Sequence, residues 1–139
     1  ATLLGCLTSM NDRLNKLAKL TETLELISID ASMFEQFFYR APLLCVIADQ
    51  RGFFVHVNFL WEETFGYHES DLVSHPWLSF VHPDDIQPTV EATEGMANGL
   101  PVKCFENRYR SKTGQYKRLR WIATVFNKGV AYCIAEEIK

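Results

Sequence analysis

Four histidines, four cysteines and one pair of adjacent aspartates are the side chains whose types could do chemistry in this sequence. His56, His68, His75 and His82 stand apart, with no i, i+4 pair to put two imidazoles on one helix face, so a zinc site is not predicted. Cys6, Cys45, Cys104 and Cys133 contain no C-x-x-C pair. They read as reduced thiols that pack as small apolar groups, Cys45 and Cys133 inside strand-like runs and Cys104 at the start of another. Asp84-Asp85 could hold a cation or act as paired acids, but directly behind Pro83 they suit the first turn of a helix better. No nucleophile elbow, phosphate-cradling glycine loop or H-E-x-x-H motif occurs. These residues therefore predict neither a catalytic nor a metal centre.

The elements that would position such groups must come from one ordinary domain, since the chain has 139 residues. Apolar residues make up 47 % and aromatics 13 %, enough for a packed core. No apolar run approaches the roughly 20 residues of a membrane helix, and no secretory signal is visible. The expected location is cytoplasmic. Beginning at Ala1 and stopping abruptly at Lys139, the sequence reads as a piece of a longer protein. Net charge is −3 but unevenly spread: seven basic residues against one acid, Glu106, lie between Lys103 and Arg120. That run reads as the outward face of a sheet whose other face is core. With the aromatics expected inside, no nucleic-acid partner is predicted.

Residues 1–30 and 31–139 read as two regions. In the first, Leu3, Leu7, Met10, Leu14, Leu17 and Leu24 follow a 4-3 spacing, interrupted at Thr21. This is a heptad-like seam for pairing two copies of the chain. Leu4 and Leu20 widen the stripe, which also fits packing on the same chain. After a break at 28–32, Ser32-Met-Phe-Glu35 has capping-box spacing. It opens a short helix ending before Pro42, whose Phe34, Phe37, Phe38 and Tyr39 should pack on a sheet. Strands are expected at 43–49 and 53–58 around Gly52, with Phe53, Val55 and Val57 on one face and Phe54 and His56 on the other. Asn58 should cap the next helix through its side chain, and Gly66 should end it. A longer helix should begin near Pro88 and run to about Gly99. Three strands then follow as a meander, with turns at Gly114 and at Asn127-Lys128-Gly129.

The series Ala48-Asp49-x-x-Gly52, Val57-Asn58, Gly66-Tyr67, Trp77, Val81-His82-Pro83-Asp84-Asp85, Arg108-Tyr109-Arg110-x-Lys112-x-Gly114 and Trp121 resembles a PAS domain over residues 33–138. The resemblance implies an α+β fold, a five-stranded antiparallel sheet with helices on one face and a pocket between them, preceded here by an amphipathic helix. It implies a non-catalytic sensory, signal-transducing and dimerising module of a larger, bacterial signalling protein, such as a sensor kinase or a cyclic-dinucleotide enzyme. The covalently linked effector domain would lie outside this sequence. The pocket would draw on Phe59, Trp61, Phe65, Trp77, Phe80, Phe105, Tyr109, Trp121 and Ala123, with dense packing favouring a small or filled cavity. The alternative reading is a sensor of a small ligand or of heme, flavin or an apolar metabolite. No cofactor is predicted, His82 being a weak heme-ligand candidate that reads first as a turn residue. Relatives end in an Asp-x-Thr pair for signal output; here that place carries Glu136 and Glu137, without the Thr.

Overall fold

A computed structural model describes residues 3–26 and 31–139. The expected break at 28–32 falls mostly outside them. By its contacts the chain divides into a unit of residues 1–36 and a unit of residues 37–139. The first contains α1 (Leu3–Leu26), on which Met10, Leu14 and Leu17 are exposed. The side chains of Leu3, Leu7 and Leu24 lie outside the described residues. α2 (Ala31–Arg40) straddles the division and has no buried residue. Ser32 falls within its first turn rather than ahead of it. Phe34, Phe37 and Tyr39 are exposed, against the expectation that these rings pack on the sheet.

In the second unit, β1 (Leu44–Asp49), β2 (Phe54–Val57), β3 (Val102–Arg110), β4 (Tyr116–Ala123) and β5 (Val130–Ile138) form one antiparallel sheet in the order β2-β1-β5-β4-β3. Between β2 and β3 run α3 (Phe59–Phe65), α4 (Glu69–Val73), 3-10 turns at Trp77–Ser79 and Pro83–Asp85, and α5 (Ile86–Ala97). α5 begins two residues ahead of Pro88, which therefore sits in its first turn, where an amide has no intrahelical partner to lose. Gly66, at φ 81°, stops α3, its N–H donating to the Glu62 carbonyl. Lys128 and Gly129, at φ 54° and 84°, make the β4–β5 turn, the left-handed pair a tight hairpin turn requires. No described helix is long and apolar enough to cross a membrane.

Alternation sets the faces of the meander. Leu119, Trp121 and Ala123 of β4 and Ala131, Cys133 and Ala135 of β5 point inward and are buried. Arg118, Arg120, Glu106 and Glu136 share the outward face, with Arg120 3.8 Å from Glu106 and 3.4 Å from Glu136. Two bulges break the alternation. On β2, His56 pairs with Ile47 but Phe54 with Ala48, so Val55 is an extra residue. Phe54 and Val57 are consequently both buried while Val55 and His56 are exposed, which corrects the strict two-face reading. On β3 the shift lies between Val102 and Phe105 and leaves Cys104 exposed rather than packed.

Each sheet edge is met at one end by the segment between α4 and α5. The Trp77 N–H donates to the Gly52 carbonyl at 2.9 Å, and Phe53 pairs with Pro76 beside β2. On the other edge the His82 N–H donates to the Arg108 carbonyl at 2.9 Å and the Arg110 N–H to the Phe80 carbonyl at 2.8 Å. Exposed strand edges invite pairing with other chains, and this segment covers one end of each.

Candidate functional site

The middle of the sheet is built from small side chains. Ala48 of β1, Ala123 of β4 and Ala131, Cys133 and Ala135 of β5 all face inward. Over them pack large rings: Trp61 and Phe65 from α3, Trp77 from its 3-10 turn, Phe54 from β2, and Tyr109 and Trp121 from β3 and β4. Fully burying a side chain of this size contributes roughly 2–3 kcal/mol, and the rings meet at centroid distances of 5.2 to 6.4 Å. The fit is incomplete on the α5 side. A cavity of about 60 Å³ remains there, lined by Ala48, Phe54, Trp77, Thr89, Ala92, Thr93, Met96, Val102, Phe105, Asn107, Tyr109, Trp121, Ala123 and Cys133.

The lining contains no Asp, Glu, Lys, Arg or His. A chain of hydrogen bonds crosses it. The Trp121 indole N–H donates to Asn107 Oδ1 at 2.7 Å, and Asn107 Nδ2 donates to Thr89 Oγ1 at 3.1 Å. Thr89 Oγ1 donates in turn to the Asp85 carbonyl at 2.7 Å. Asp85 then leaves the core: its carboxylate accepts from the Arg108 backbone N–H at 2.8 Å and from the Arg108 guanidinium at 2.9 Å. Those guanidinium bonds, above all, hold the Asp85 carboxyl below its ordinary value, with burial pulling the other way. Asp85 thus docks the start of α5 on β3, a role beyond the helix-end one its sequence position suggested.

Burial keeps the remaining titratable groups of the lining neutral. It pushes the Cys133 thiol up to about 12 and raises the Tyr109 phenol, with Cys133 nearby adding to the effect. Neither is a nucleophile at neutral pH, because the thiolate and phenolate are too costly to form there.

Of the residues expected at the pocket, Trp77, Phe105, Tyr109, Trp121 and Ala123 line the cavity. Trp61, Phe65 and Phe80 are buried but packed away from it. The Trp61 Nε1 is a buried polar atom without a hydrogen-bond partner among the described residues. Phe59 is half-buried against Tyr39, ring centroids 5.7 Å apart, because it faces away from the sheet at the start of α3. Sequence reasoning passed over Phe54, which the β2 bulge turns inward, and the alanines other than Ala123, whose smallness leaves the space. The inward run Ala131, Cys133, Ala135 was the available signal.

Asn58, expected to cap α3 with its side chain, makes no such bond. It is buried and spent on the preceding segment: Oδ1 accepts from the Cys45 N–H at 3.0 Å, and Nδ2 donates to the Ala41 and Leu43 carbonyls at 3.2 and 2.7 Å. His82 does not line the cavity; its Nδ1 accepts from the Asp84 N–H at 3.1 Å and its ring lies 4.6 Å from Tyr116. A space of about 60 Å³ is under half of the roughly 150 Å³ that admits benzene, so heme and flavin do not fit it. Glu136 and Glu137 lie near the end of β5, paired with Arg120 and, at 3.6 Å, with Lys117.

Comparison with known proteins gives the same architecture. The chain is similar to the PAS domain of an HTR-like protein from Haloarcula marismortui, with TM-score 0.65 at 21 % identity, covering 87 % of this chain and 99 % of that one. It is similar to a domain of a sensory box sensor histidine kinase/response regulator from Geobacter sulfurreducens, with TM-score 0.67 at 18 % identity over 76 % and 92 % of the two chains. A PAS domain from Colwellia psychrerythraea matches with TM-score 0.68 at 17 % identity, over 77 % and 95 %. At these identities the likeness is one of fold. No curated protein sequence matches. The family model described as the PAS fold matches residues 54–135. That match runs from the first residue of β2 into the last strand, more than half of the sequence, and the chain therefore belongs to the PAS fold family.

Proposed function

We propose that this chain is a non-catalytic sensory and signal-transducing module that acts as a homodimer within a larger, cytoplasmic signalling protein. Membership of the PAS fold supports the sensory reading. So does the likeness to a domain of a sensor histidine kinase/response regulator, which makes a kinase-type effector the natural partner. The observation that carries dimerisation is the stripe of Met10, Leu14 and Leu17, exposed by 57, 59 and 59 % on a helix of 24 residues. Most helical stability in proteins comes from packing an apolar stripe, and burying this one against a second copy is what would stabilise it. In this reading the signal leaves through Glu136 and Glu137, whose pairs with Arg120 and Lys117 hold the end of β5 against β4.

Native mass spectrometry of the chain tests this by reporting assembly and bound mass together. A dimer at the bare polypeptide mass is the expected result. A monomer at all accessible concentrations overturns the dimer. A second reading, a small-ligand sensor, is favoured by the charge-free cavity, and added mass on each subunit would support it.

A further inference from the structure

Charge is divided between the helices and the outward face of the sheet. Between Gly52 and Val102 the sequence carries eight Asp or Glu and no Lys or Arg. All eight stand on α3, on α4, on the turn at Pro83–Asp85 or on α5. Among the described residues, Asp85 is the one acid of this stretch that meets an arginine or lysine, Arg108. On the outward face of the sheet, by contrast, Arg118 and Arg120 are matched by Glu106. The helical side therefore carries uncompensated negative charge, which draws cationic partners and repels acidic ones.

A groove of about 220 Å³ opens on that side, between residues 50–52 and α5. Pro76, Trp77, Leu78 and Val90 make its walls apolar, and Arg51 and Glu94 are its charged members. The two charges are not equivalent. Arg51 is held by Asp49, with Nη2 at 2.8 Å and Nε at 3.1 Å from Oδ2 of that carboxylate. Glu94 is exposed and makes no ion pair among the described residues. Ile86, Val90 and Glu94 follow one another at four-residue spacing along α5, so one row of the helix runs from apolar side chains to an unpaired carboxylate.

We propose that this groove docks a segment of a partner protein in which lysines or arginines flank one large apolar side chain. The apolar side chain seats among Pro76, Leu78 and Val90, and a flanking cation meets Glu94. Size sets the anchor: the groove, at about 220 Å³, exceeds the void of roughly 150 Å³ that admits benzene, which gives room for one side chain of leucine or phenylalanine size. Charge sets the flanks, because an acidic segment would bury the same apolar area against repulsion. The surface lies wholly in the unit of residues 37–139 and depends neither on the dimer nor on a ligand in the cavity.

The test uses the full chain, labelled for methyl and amide NMR, and titrates it with the end-blocked peptides Lys-Lys-Leu-Lys-Lys, Lys-Lys-Gly-Lys-Lys and Glu-Glu-Leu-Glu-Glu. The basic leucine peptide should shift the methyl signals of Leu78 and Val90 and the amides of Gln50, Gly52 and Thr93. The glycine peptide should bind about ten-fold more weakly, as loss of one partly buried leucine implies, and the acidic peptide should shift none of these signals. Glu94→Gln should weaken the basic leucine peptide about three-fold, the worth of one exposed ion pair, and Glu94→Lys about ten-fold. Both variants should melt as the parent does, since this carboxylate has no ion pair to lose. Glu106→Gln, an equal change in net charge on the outward face of the sheet, should leave binding as it was. Equal weakening by Glu106→Gln and Glu94→Gln overturns the proposal, as does equal binding of the leucine and glycine peptides or of the basic and acidic ones. Groove signals that no peptide moves, or shifts confined to Ala48 and Ala123 in the cavity, overturn it too.

Discussion

Asn58 holds three groups of residues 41–45 at once, which makes it the side chain on which the junction of β1 with α3 depends. Its carbonyl serves one amide and its amino group two carbonyls, so no other residue type of that size satisfies all three. Asn58→Ala should destabilise the fold by about 3 kcal/mol, because buried backbone groups lose their partners. The check is the urea midpoint at unchanged slope. Asp85 gives a pH signature. Its folded-state value lies below the ordinary 3.8, chiefly through the Arg108 hydrogen bonds. The unfolded chain therefore binds the proton more readily than the folded one, and the contribution is complete above the ordinary value. It is lost as pH falls from about 5 through the lowered folded value. Asp85→Asn should lower the melting temperature at neutral pH and flatten the acid limb of a melting-temperature profile. An unchanged acid limb would remove Asp85 from that role.

At the scale of elements, the bulges decide what the strands present. One extra residue on β2 turns Phe54 inward beside Val57, leaving Val55 and His56 outside. Phe54→Ala should accordingly cost about 3–5 kcal/mol, since Phe54 is buried among Trp61, Trp77 and Tyr109. Val55→Ala should cost less than about 1 kcal/mol, being a surface change. Strict alternation predicts the reverse order, so chemical denaturation of the two variants separates the arrangements. The bulge on β3 has the same kind of consequence, carrying Cys104 to the surface. A short segment such as α2 obeys a further constraint. Its Phe34, Phe37 and Phe38 stand at i, i+3 and i+4 on one face, with Tyr39 turned away from it, yet Phe34 and Phe37 are exposed, so an apolar stripe does not by itself dock a helix.

For the molecule as a whole, the question is how a sheet whose inner face is closed and uncharged could inform another domain. The hydrogen-bond chain from Trp121 through Asn107 and Thr89 reaches Asp85, and from there Arg108. It joins the cavity wall to the start of α5 and the edge strand. In the proposed dimer the stripe on α1 supplies the assembly. Leu14→Glu together with Leu17→Glu should convert a dimer into a monomer, read by sedimentation velocity. A double variant that sediments like the parent would move the dimer contact away from that helix.

The order of elements, the turns at Gly52, Gly66 and Gly114, the hairpin at Lys128-Gly129 and the inward run of the meander were legible in the residues. Each is fixed by backbone preferences and periodicity acting over a few positions. Tertiary structure alone decided which way Phe54 faces, because a bulge exists only relative to the partner strand. It decided the work of Asn58 and of Asp85, whose bonding partners lie 13 to 23 residues away and compete with the nearby helix end. It decided the cavity too. A void is the difference between the space over five small side chains and the volume of rings brought in from α3, β2, β3, β4 and the turn at Trp77, and no local pattern encodes a difference of that kind.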